Sequence, residues 1–317
     1  MKRLILTLLV LATLWSVASA QLKIYCLDVN QGDATLIIAP TGESLLVDAG
    51  KEEDAKKIVE VLTLEHITEI TYVVVTHFDG DHLLGLRHLK LNAITFGHPI
   101  LTNGSDPKDY SSDVNPNMAI APGDSFKLGT EVTVRCLAAE RKVLGGSSSA
   151  AEGGGSDADN ANSVALIVAY QGFEFFVAGD LTAKVEKVLV DAGTVPDVDV
   201  YHASHHGAKT GNSEELVEAL APEVSIISCG TTYNHPNKTV IERLRDNESV
   251  IYQTNKNTNK RKWTEPIKNV AASRIGDVVP TKDKGSILIF VKDGKYTVSL
   301  ERKEYKSGVS YPVEVLE

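Results

Sequence analysis

The sequence of 317 residues contains few cysteines, namely Cys26, Cys136 and Cys229. A small, odd number excludes the dense disulfide framework of many small exported domains. No pair of them has the spacing of a zinc–thiolate site. Cys26 and Cys229 lie in strand-like apolar runs, which favours buried thiols, although one disulfide bond among the three remains open.

Long apolar runs are absent after residue 20, so no later segment is expected to cross a membrane. Residues 1–20 combine a basic start at Lys2 and Arg3, an apolar stretch and small residues ending at Ala20. This pattern predicts a signal peptide cleaved after Ala20, and hence a secreted or periplasmic protein without stable membrane insertion. The alternative is an uncleaved anchor, but the apolar stretch is shorter than the ~20 residues that span a bilayer.

An excess of positive charge is also lacking. The formal net charge is −10, and removing Lys2 and Arg3 lowers it by two, to −12. A protein this acidic does not attract nucleic acid through its overall field. Any contact with phosphate must therefore be local or mediated by a metal ion.

One basic stretch stands out against this acidic background, formed by Lys256, Lys260, Arg261 and Lys262 beside Trp263. Basic side chains next to an aromatic ring can bind single-stranded nucleic acid. Charge runs of this kind are more often solvated loops. The stretch is therefore a speculative nucleic-acid contact.

The order of apolar segments predicts an α+β fold in one domain over residues 21–302, followed by a C-terminal tail over 303–317. Strands come first, and mixed strands and helices then alternate without a break in composition. This pattern suits two packed sheets with helices outside. The principal predicted segments are an antiparallel start at 22–48, a helix at 52–64, a strand at 72–75, a long loop at 98–122, and hairpins at 163–177 and 286–300.

Four potential metal ligands directly follow the predicted strand at 72–75: His77, Asp79, Asp81 and His82. A loop at a strand end can direct several side chains into one cavity while the sheet holds its base. Imidazoles and carboxylates together suit zinc, manganese or iron. A solvated turn would explain the aspartates but not the flanking histidines, so the motif predicts a metal site.

Two further groups of polar residues follow predicted strands. His202, His205 and His206 lie within five residues, in a chain that has only nine histidines. A tight group favours ligands or acid–base groups, whereas His202 alone would be a structural or supporting residue. Asp180 follows another strand and could bridge two metal ions at the ~3.5–4 Å spacing of two-metal hydrolases.

Several motifs occur in the order seen in metallo-β-lactamase-fold proteins. They are LDVNQGDA at 27–34, LVDAG at 46–50, THFDGDH at 76–82, NANSVAL at 160–166, GDL at 179–181, SHHGAKT at 204–210 and NHP at 234–236. The chain most resembles the extracellular hydrolase-like domain of ComEC-type DNA-uptake proteins, over residues 22–300. We expect it to be a free-standing version without the membrane channel of those proteins.

The resemblance implies an αββα sandwich with metal ions at one edge of the two sheets. It assigns metal-binding positions to His77, Asp79, Asp81, His82, Asp180 and one of His205 or His206. It places Asp33 and Asp48 near the site as supporting residues, and it matches His235 to a histidine that could hydrogen-bond a phosphate or leaving group.

Two departures from the broader superfamily shift the expected metal. Asp79 stands where that superfamily has a histidine, and Asn160 and Asn162 occupy the stretch of a missing middle histidine. Both changes make the site richer in oxygen, which moves the preference from zinc towards manganese. Asn160 is expected to be a supporting residue of the site. We expect a divalent cofactor, two ions of Mn or Zn.

These residues predict a metal-dependent hydrolase, a phosphodiesterase or nuclease that uses a metal-activated water. Asp81 or Asp180 could accept the proton of that water, and His235, His206 or Lys209 could stabilise charge on a phosphoryl oxygen. The expected substrate is a phosphodiester such as nucleic acid. The alternatives are a β-lactamase- or lactonase-type hydrolase, and a non-catalytic DNA-uptake accessory or binding module.

Overall fold

A computed structural model describes residues 21–146, 158–230, 233, 235–255, 285–300 and 314–315. The predicted signal peptide at 1–20 and the basic stretch at 256–262 lie outside the described residues. Most of the glycine- and serine-rich segment at 145–162 does so as well.

Strands and helices alternate along the described chain. The strands are β1 (Leu22–Cys26), β2 (Thr35–Ile38), β3 (Ser44–Val47), β4 (Glu69–Ile70), β5 (Tyr72–Val75), β6 (Thr95–Phe96), β7 (Ile100–Thr102), β8 (Asn117–Ala119), β9 (Ser125–Leu128), β10 (Val132–Ala139), β11 (Lys142–Val143), β12 (Ala165–Tyr170), β13 (Phe173–Val177), β14 (Val200–His202), β15 (Val224–Ile227), β16 (Val250–Gln253), β17 (Ile287–Lys292), β18 (Lys295–Leu300) and β19 (Glu314–Val315). The helices are α1 (Lys56–Leu64), α2 (Gly80–Leu83), α3 (Gly85–Leu91), α4 (Ala183–Asp191), α5 (Glu214–Leu220) and α6 (Lys238–Asp246), with 3₁₀ turns at Lys108–Tyr110, Asn160–Asn162 and Ser204–Gly207.

Most strands form two large sheets. The first sheet has the order β19-β18-β17-β1-β2-β3-β5-β7-β8. The second has the order β11-β10-β12-β13-β14-β15-β16, with β9 added on β10. Both sheets are mixed, because their hairpins are antiparallel whereas β3, β5 and β7, and likewise β13 to β16, run parallel.

The two sheets pack face to face over one apolar core. Successive strand residues point to opposite faces, and Val74 of β5 and Phe175 of β13 both belong to the core between the sheets. Val73 and Val75 point the other way, into the layer that holds α1 and α3. Phe176 likewise faces the layer of α4, α5 and α6. Each sheet is thus covered by helices on its outer face, which confirms the predicted αββα sandwich.

Helices α5 and α6 begin where short polar side chains satisfy free backbone N–H groups. Ser213 accepts a hydrogen bond from the backbone N–H of Leu216 at the start of α5. Asn237 accepts one from Thr239 at the start of α6. Such caps stabilise a helix by about 1 kcal/mol. Both helices then pack against the outer face of the second sheet.

The hairpins predicted at 163–177 and 286–300 are confirmed by the antiparallel pairs β12–β13 and β17–β18. The prediction of a long loop at 98–122 is wrong, because β7 and β8 lie within that range and extend the first sheet as parallel strands. Each has only three residues. Such short strands, stabilised by pairing with β5 and β7, have too few residues to show an alternating pattern.

Two general expectations can be compared with the described residues. All three cysteines are buried, free thiols. Among the residues that the structure describes, none of the helices is both long and apolar enough to cross a bilayer.

The topology brings several loops to one edge of the sandwich. Parallel strands end at the same edge of a sheet, and polar loops follow β3, β5, β13 and β14 there. These loops carry Asp48, the motif at 76–82, Asp180 and the histidines of 202–206. The hairpin between β1 and β2 adds Asp33.

Candidate metal centre

Four imidazoles surround the carboxylate of Asp180, which is buried at the end of β13. The Nε2 atoms of His82 and His206 lie 3.3 and 3.6 Å from its Oδ1 atom. The Nε2 atoms of His205 and His77 lie 3.4 and 3.9 Å from its Oδ2 atom. Each oxygen of one carboxylate therefore faces two imidazole nitrogens.

Two more carboxylates lie beside these pairs. Asp79 Oδ2 lies 3.7 Å from His77 Nε2, and its side chain is 50% exposed. Asp81 Oδ2 lies 3.7 Å from His206 Nε2, and its side chain is 19% exposed. Three overlapping groups have ligand atoms within 4.8 Å of one another: His77, His82 and Asp180; Asp81, His82 and His206; and Asp33, Asp180 and His206.

The imidazoles of the first loop are oriented through their Nδ1 atoms. His82 Nδ1 lies 2.7 Å from Asp48 Oδ2. Thr76 donates its hydroxyl proton to the same carboxylate oxygen at 2.6 Å, so the hydroxyl oxygen can accept from His77 Nδ1 at 3.1 Å. Asp48 also accepts from the Thr76 backbone N–H. Both rings consequently present Nε2 to Asp180, the arrangement that supports metal-binding histidines.

The second loop uses different partners for the same purpose. His206 Nδ1 lies 3.2 Å from the carbonyl oxygen of Ser228 and 3.4 Å from Asp33 Oδ1. The Ser228 carbonyl oxygen and the ionised Asp33 carboxylate can only accept hydrogen bonds, so His206 Nδ1 is the donor. The Nε2 atom of His206 is then left for Asp180. His205 Nδ1 lies 2.8 Å from the Thr210 hydroxyl.

Two of the predicted supporting residues lie around this second loop. His202 is buried with its Nε2 2.8 Å from the Ser228 hydroxyl and 3.9 Å from Asp33. Asn160 places its amide nitrogen 3.4 Å from His205 Nε2. His202 therefore contacts Ser228 and Asp33, and Asn160 lies beside His205.

Charges within the cluster shift the pKa values of its members. Burial alone would raise the pKa of Asp180, but the nearby imidazoles of His206 and His82 outweigh it and hold that pKa well below its usual range. Burial alone would lower the pKa of His206, but Asp180 and Asp33 raise it to about 9. The pKa of His82 is raised well above its usual value, because Asp180 and Asp48 outweigh burial. The carboxylates thus stabilise positive charge at this centre. A metal ion would supply that charge when it displaces the imidazole protons.

Several buried polar atoms at the centre have no hydrogen-bond partner: Nε2 of His77, His82 and His206, and Oδ1 of Asp180. Unpartnered buried polar atoms are rare in native proteins and indicate a missing ligand or ion. Their nitrogen and oxygen chemistry suits a divalent metal ion. The residues present therefore fit the metal that the sequence predicts.

Of the two predicted catalytic residues outside the cluster, His235 lies beside it. The ring of His235 is centred 5.8 Å from that of His205. Burial, together with the positive charges of His206 and His205, lowers the pKa of His235 to about 4. Lys209 is exposed on the second loop.

A close approach of the two sheets joins the loops. Gly179 has a φ of +48°, and a Cβ atom there would lie 2.2 Å from the Thr76 hydroxyl oxygen. Only glycine fits this contact without a shift, and it places Asp180 directly beside the first loop. Asp159 adds another connection by accepting a hydrogen bond from the Phe78 backbone N–H at 2.9 Å.

Sequence reasoning missed the groups that orient the imidazoles, notably Thr76, Thr210 and Ser228. Both threonines lie inside motifs, so a search for hydroxyl groups next to the histidines would have found them. Ser228 acts on His206 through its backbone carbonyl, and a backbone group leaves no signal in the residue type.

The fold and the histidine–aspartate cluster define a divalent-metal-binding protein of the hydrolase type. Residues 27–95 match the family profile of the metallo-beta-lactamase superfamily. That segment includes Asp33, Asp48 and the complete motif at 76–82. The match covers this segment alone and agrees with the predicted resemblance, and together with the sheet topology it confirms the predicted fold.

Two curated relatives are competence or recombination proteins. The chain is 23% identical over 274 residues to ComE operon protein 3 of Bacillus subtilis, covering 79% of this chain and 34% of that protein. It is 26% identical over 234 residues to Recombination protein 2 of Haemophilus influenzae, covering 72% of this chain and 27% of that protein. The chain thus spans about a third or less of the length of these relatives. They confirm the resemblance to ComEC-type proteins.

Among solved structures, the chain is similar to a protein from Parabacteroides distasonis assigned as a metal-dependent hydrolase. The sequence identity is 13% and the TM-score 0.49, over 73% of this chain and 92% of that one.

Proposed function

We propose that this protein is an exported phosphodiesterase of the nuclease type that depends on two divalent metal ions. The observation that carries the proposal is the pairing of imidazoles on Asp180, with two Nε2 atoms facing each of its oxygens at 3.3–3.9 Å. One carboxylate that faces two separate sets of ligands is suited to bridge two ions.

The two sets divide the predicted ligands between them. His77, Asp79 and His205 would hold one ion beside Oδ2 of Asp180. Asp81, His82 and His206 would hold the other beside Oδ1. Both His205 and His206 then serve as ligands, whereas the sequence assigned only one of them. Three of these seven ligand side chains, Asp79, Asp81 and Asp180, are carboxylates, which suits manganese as well as zinc.

Bound ions of this kind would lower the pKa of a water molecule and polarise the scissile bond. Of the two carboxylates that could accept the water proton, Asp81 is better placed because its side chain is partly exposed. Asp180 is buried, and its low pKa makes it a poor base.

The residues at the rim suit an anionic substrate. With a pKa of about 4, His235 is a neutral imidazole at neutral pH and can hydrogen-bond a phosphoryl oxygen or leaving group. Lys209 supplies a local positive charge. Such local groups are needed because the protein as a whole carries a formal charge of −10.

A nucleic-acid substrate is supported by the relatives, which are named for competence and recombination. Export is supported by the pattern of residues 1–20, and the basic stretch at Lys256 and 260–262 is a further proposed contact. A lactam or lactone hydrolase is the alternative within the same fold.

The proposal is tested with purified protein loaded with Mn²⁺ or Zn²⁺. The substrates are bis(p-nitrophenyl) phosphate, single-stranded DNA, RNA, a chromogenic cephalosporin and a homoserine lactone. We expect hydrolysis of the phosphodiesters, lost in Asp180→Ala and retained in Leu91→Ala, a change at an exposed helix end. Cleavage of only the lactam or lactone would replace the proposal by its alternative. DNA binding without turnover, unchanged in Asp81→Ala, would indicate a binding module.

A further inference from the structure

One exposed aromatic side chain lies beside the metal centre. Among the described residues, the large hydrophobic side chains that stay exposed are Leu64, Leu91, Met118 and Tyr233. Tyr233 is the aromatic member of that group, with 53% exposure. An exposed aromatic ring near a catalytic centre is a candidate for substrate contact, because its apolar face gains by being covered.

A short series of rings connects Tyr233 to the centre. The ring of Tyr233 is centred 5.9 Å from that of His235, with an angle of 34° between the planes. His235 in turn is 5.8 Å from the ring of His205. The Nε2 atom of His205 lies 3.4 Å from Asp180 Oδ2. The rings therefore run from solvent to the bridging carboxylate.

The inner end of this series is anchored to the second loop. A Cβ atom on Gly207 would lie 2.7 Å from Cβ of Pro236, so the two backbones are in close contact. The Asn237 backbone N–H donates to the Gly207 carbonyl oxygen at 2.8 Å. His235 is thereby held at a fixed place relative to His205 and His206.

We propose that Tyr233, together with His235, forms a stacking subsite for a nucleobase next to the phosphodiester held at the metal centre. The proposal rests on the proposed function, because it assigns the substrate class of that same site. A nucleotide carries its base one sugar away from its phosphate. A base on Tyr233 would thus leave the phosphate on the side of His235 and His205.

Stacking also suits the charge of this protein. An acidic surface repels a polyanion, so a subsite that recognises the flat face of a base adds affinity without added positive charge. Stacking on an aromatic side chain tolerates every base, because each base has a π face. The subsite is therefore expected to favour single strands without strict sequence preference.

The test measures binding without turnover. The probes are a single-stranded DNA trinucleotide with central 2-aminopurine, followed by its fluorescence, and a dye-labelled trinucleotide with an abasic central position, followed by anisotropy. Both are titrated with the protein in EDTA and, separately, with Ca²⁺. We expect Tyr233→Ala to weaken binding of the base-bearing probe by roughly 5- to 100-fold. Tyr233→Phe and the exposed control Leu91→Ala are expected to bind like the wild type.

The abasic probe distinguishes stacking from other roles of Tyr233. We expect Tyr233→Ala to leave its affinity unchanged. Equal losses for both probes, or a loss in Tyr233→Phe as large as that in Tyr233→Ala, would overturn the subsite. If the protein quenched 2-aminopurine fluorescence but hydrolysed no phosphodiester, the stacking subsite would be retained and the proposed nuclease activity rejected. If the protein hydrolysed base-bearing and abasic substrates with equal kcat/KM, the nuclease activity would be retained and the stacking subsite rejected.

Discussion

The two histidine-bearing loops present the same kind of atom to Asp180 but are built differently. In the loop at 76–82, both histidines are buried and their rings are oriented by Asp48 and Thr76. In the loop at 204–210, His205 and His206 have left-handed backbone conformations, with φ of 50° and 53°. The side chain of His205 is also 16% exposed.

Both loops hold their imidazoles through hydrogen bonds, but only the loop at 204–210 combines them with left-handed non-glycine residues. A non-glycine residue with such a φ costs about 1–3 kcal/mol and persists only where its surroundings enforce it. Two in succession indicate that the contacts of His205 and His206 outweigh that cost. We therefore expect the first loop to keep its form without metal and the second to depend more on the ions.

The largest effect is expected from Asp180→Asn, which removes the carboxylate that both loops share. The amide has nearly the same size but no charge and only one acceptor oxygen, so it cannot face two sets of imidazoles as ligand. We expect kcat/KM to fall by about 10³-fold or more, since each tenfold loss corresponds to about 1.4 kcal/mol of barrier. Elemental analysis should show fewer than two ions per chain.

The matched control for that experiment is Asp191→Asn, an exposed aspartate paired with Lys187 on α4. It should leave both the metal content and kcat/KM unchanged. Two tightly held ions with near-normal turnover in Asp180→Asn would contradict a bridging role.

The next effect is expected from Asp48→Ala, which removes the support of the first loop. Asp48 accepts from the Thr76 backbone N–H, the Thr76 hydroxyl and His82 Nδ1. Loss of such a partner typically lowers metal affinity by about 10- to 100-fold, and the buried donors left behind cost about 1–3 kcal/mol of stability. Isothermal titration with Mn²⁺ and urea unfolding measure the two losses.

If Asp48→Ala lowered stability but left metal affinity unchanged, Asp48 would be a structural residue with no bearing on the imidazoles. Asp33→Ala is the parallel change for the second loop. It should weaken metal binding by less, because the Ser228 carbonyl oxygen still accepts from His206.

The same contrast explains how far the sequence predicted the site. The motif at 76–82 was recognisable because its ligands are consecutive and follow a buried strand. The order of predicted strands and helices indicated two packed sheets with helices outside, and the resemblance implied the αββα sandwich. The orientation of the rings could not be predicted, because it depends on Asp48 and Ser228, which tertiary folding brings from other strands. The positive φ of His205 and His206 was equally hidden, since a φ above zero is uncommon for any residue other than glycine, histidine included.

A third effect concerns the stability of the metal-free protein, in which a proton on His206 takes the place of the metal ion on the second loop. Burial disfavours a charged His206, but Asp180 and Asp33 outweigh it and raise its pKa from 6.5 to about 9. A raised folded-state pKa adds stability that is complete below pH 6.5 and is lost as pH rises through about 9. We therefore expect the free energy of unfolding of the metal-free protein to fall between those values, as measured by urea unfolding in EDTA.

His206→Gln should flatten that decline, although His82 titrates in the same direction. The pKa values of His202 and His205 are lowered by burial, so these residues change charge below this range of pH. A metal-free protein that became more stable from pH 6.5 to 9 would show that His206 is not held as a cation.

The smallest effects are expected from a matched pair, Thr76→Val and Thr210→Val, each of which removes the hydroxyl beside one imidazole while keeping the side-chain shape. The Nδ1 atom of His77 is fully buried, so losing Thr76 leaves it without an acceptor, and we expect about tenfold weaker Mn²⁺ binding. The ring of His205 is partly exposed, so water can replace Thr210. We expect the Mn²⁺ affinity of Thr210→Val to change by less than about threefold, as measured by the same titration.

Equal losses of Mn²⁺ affinity in the two variants would mean that the two loops hold their histidines in the same way. A larger loss in Thr210→Val would reverse the comparison.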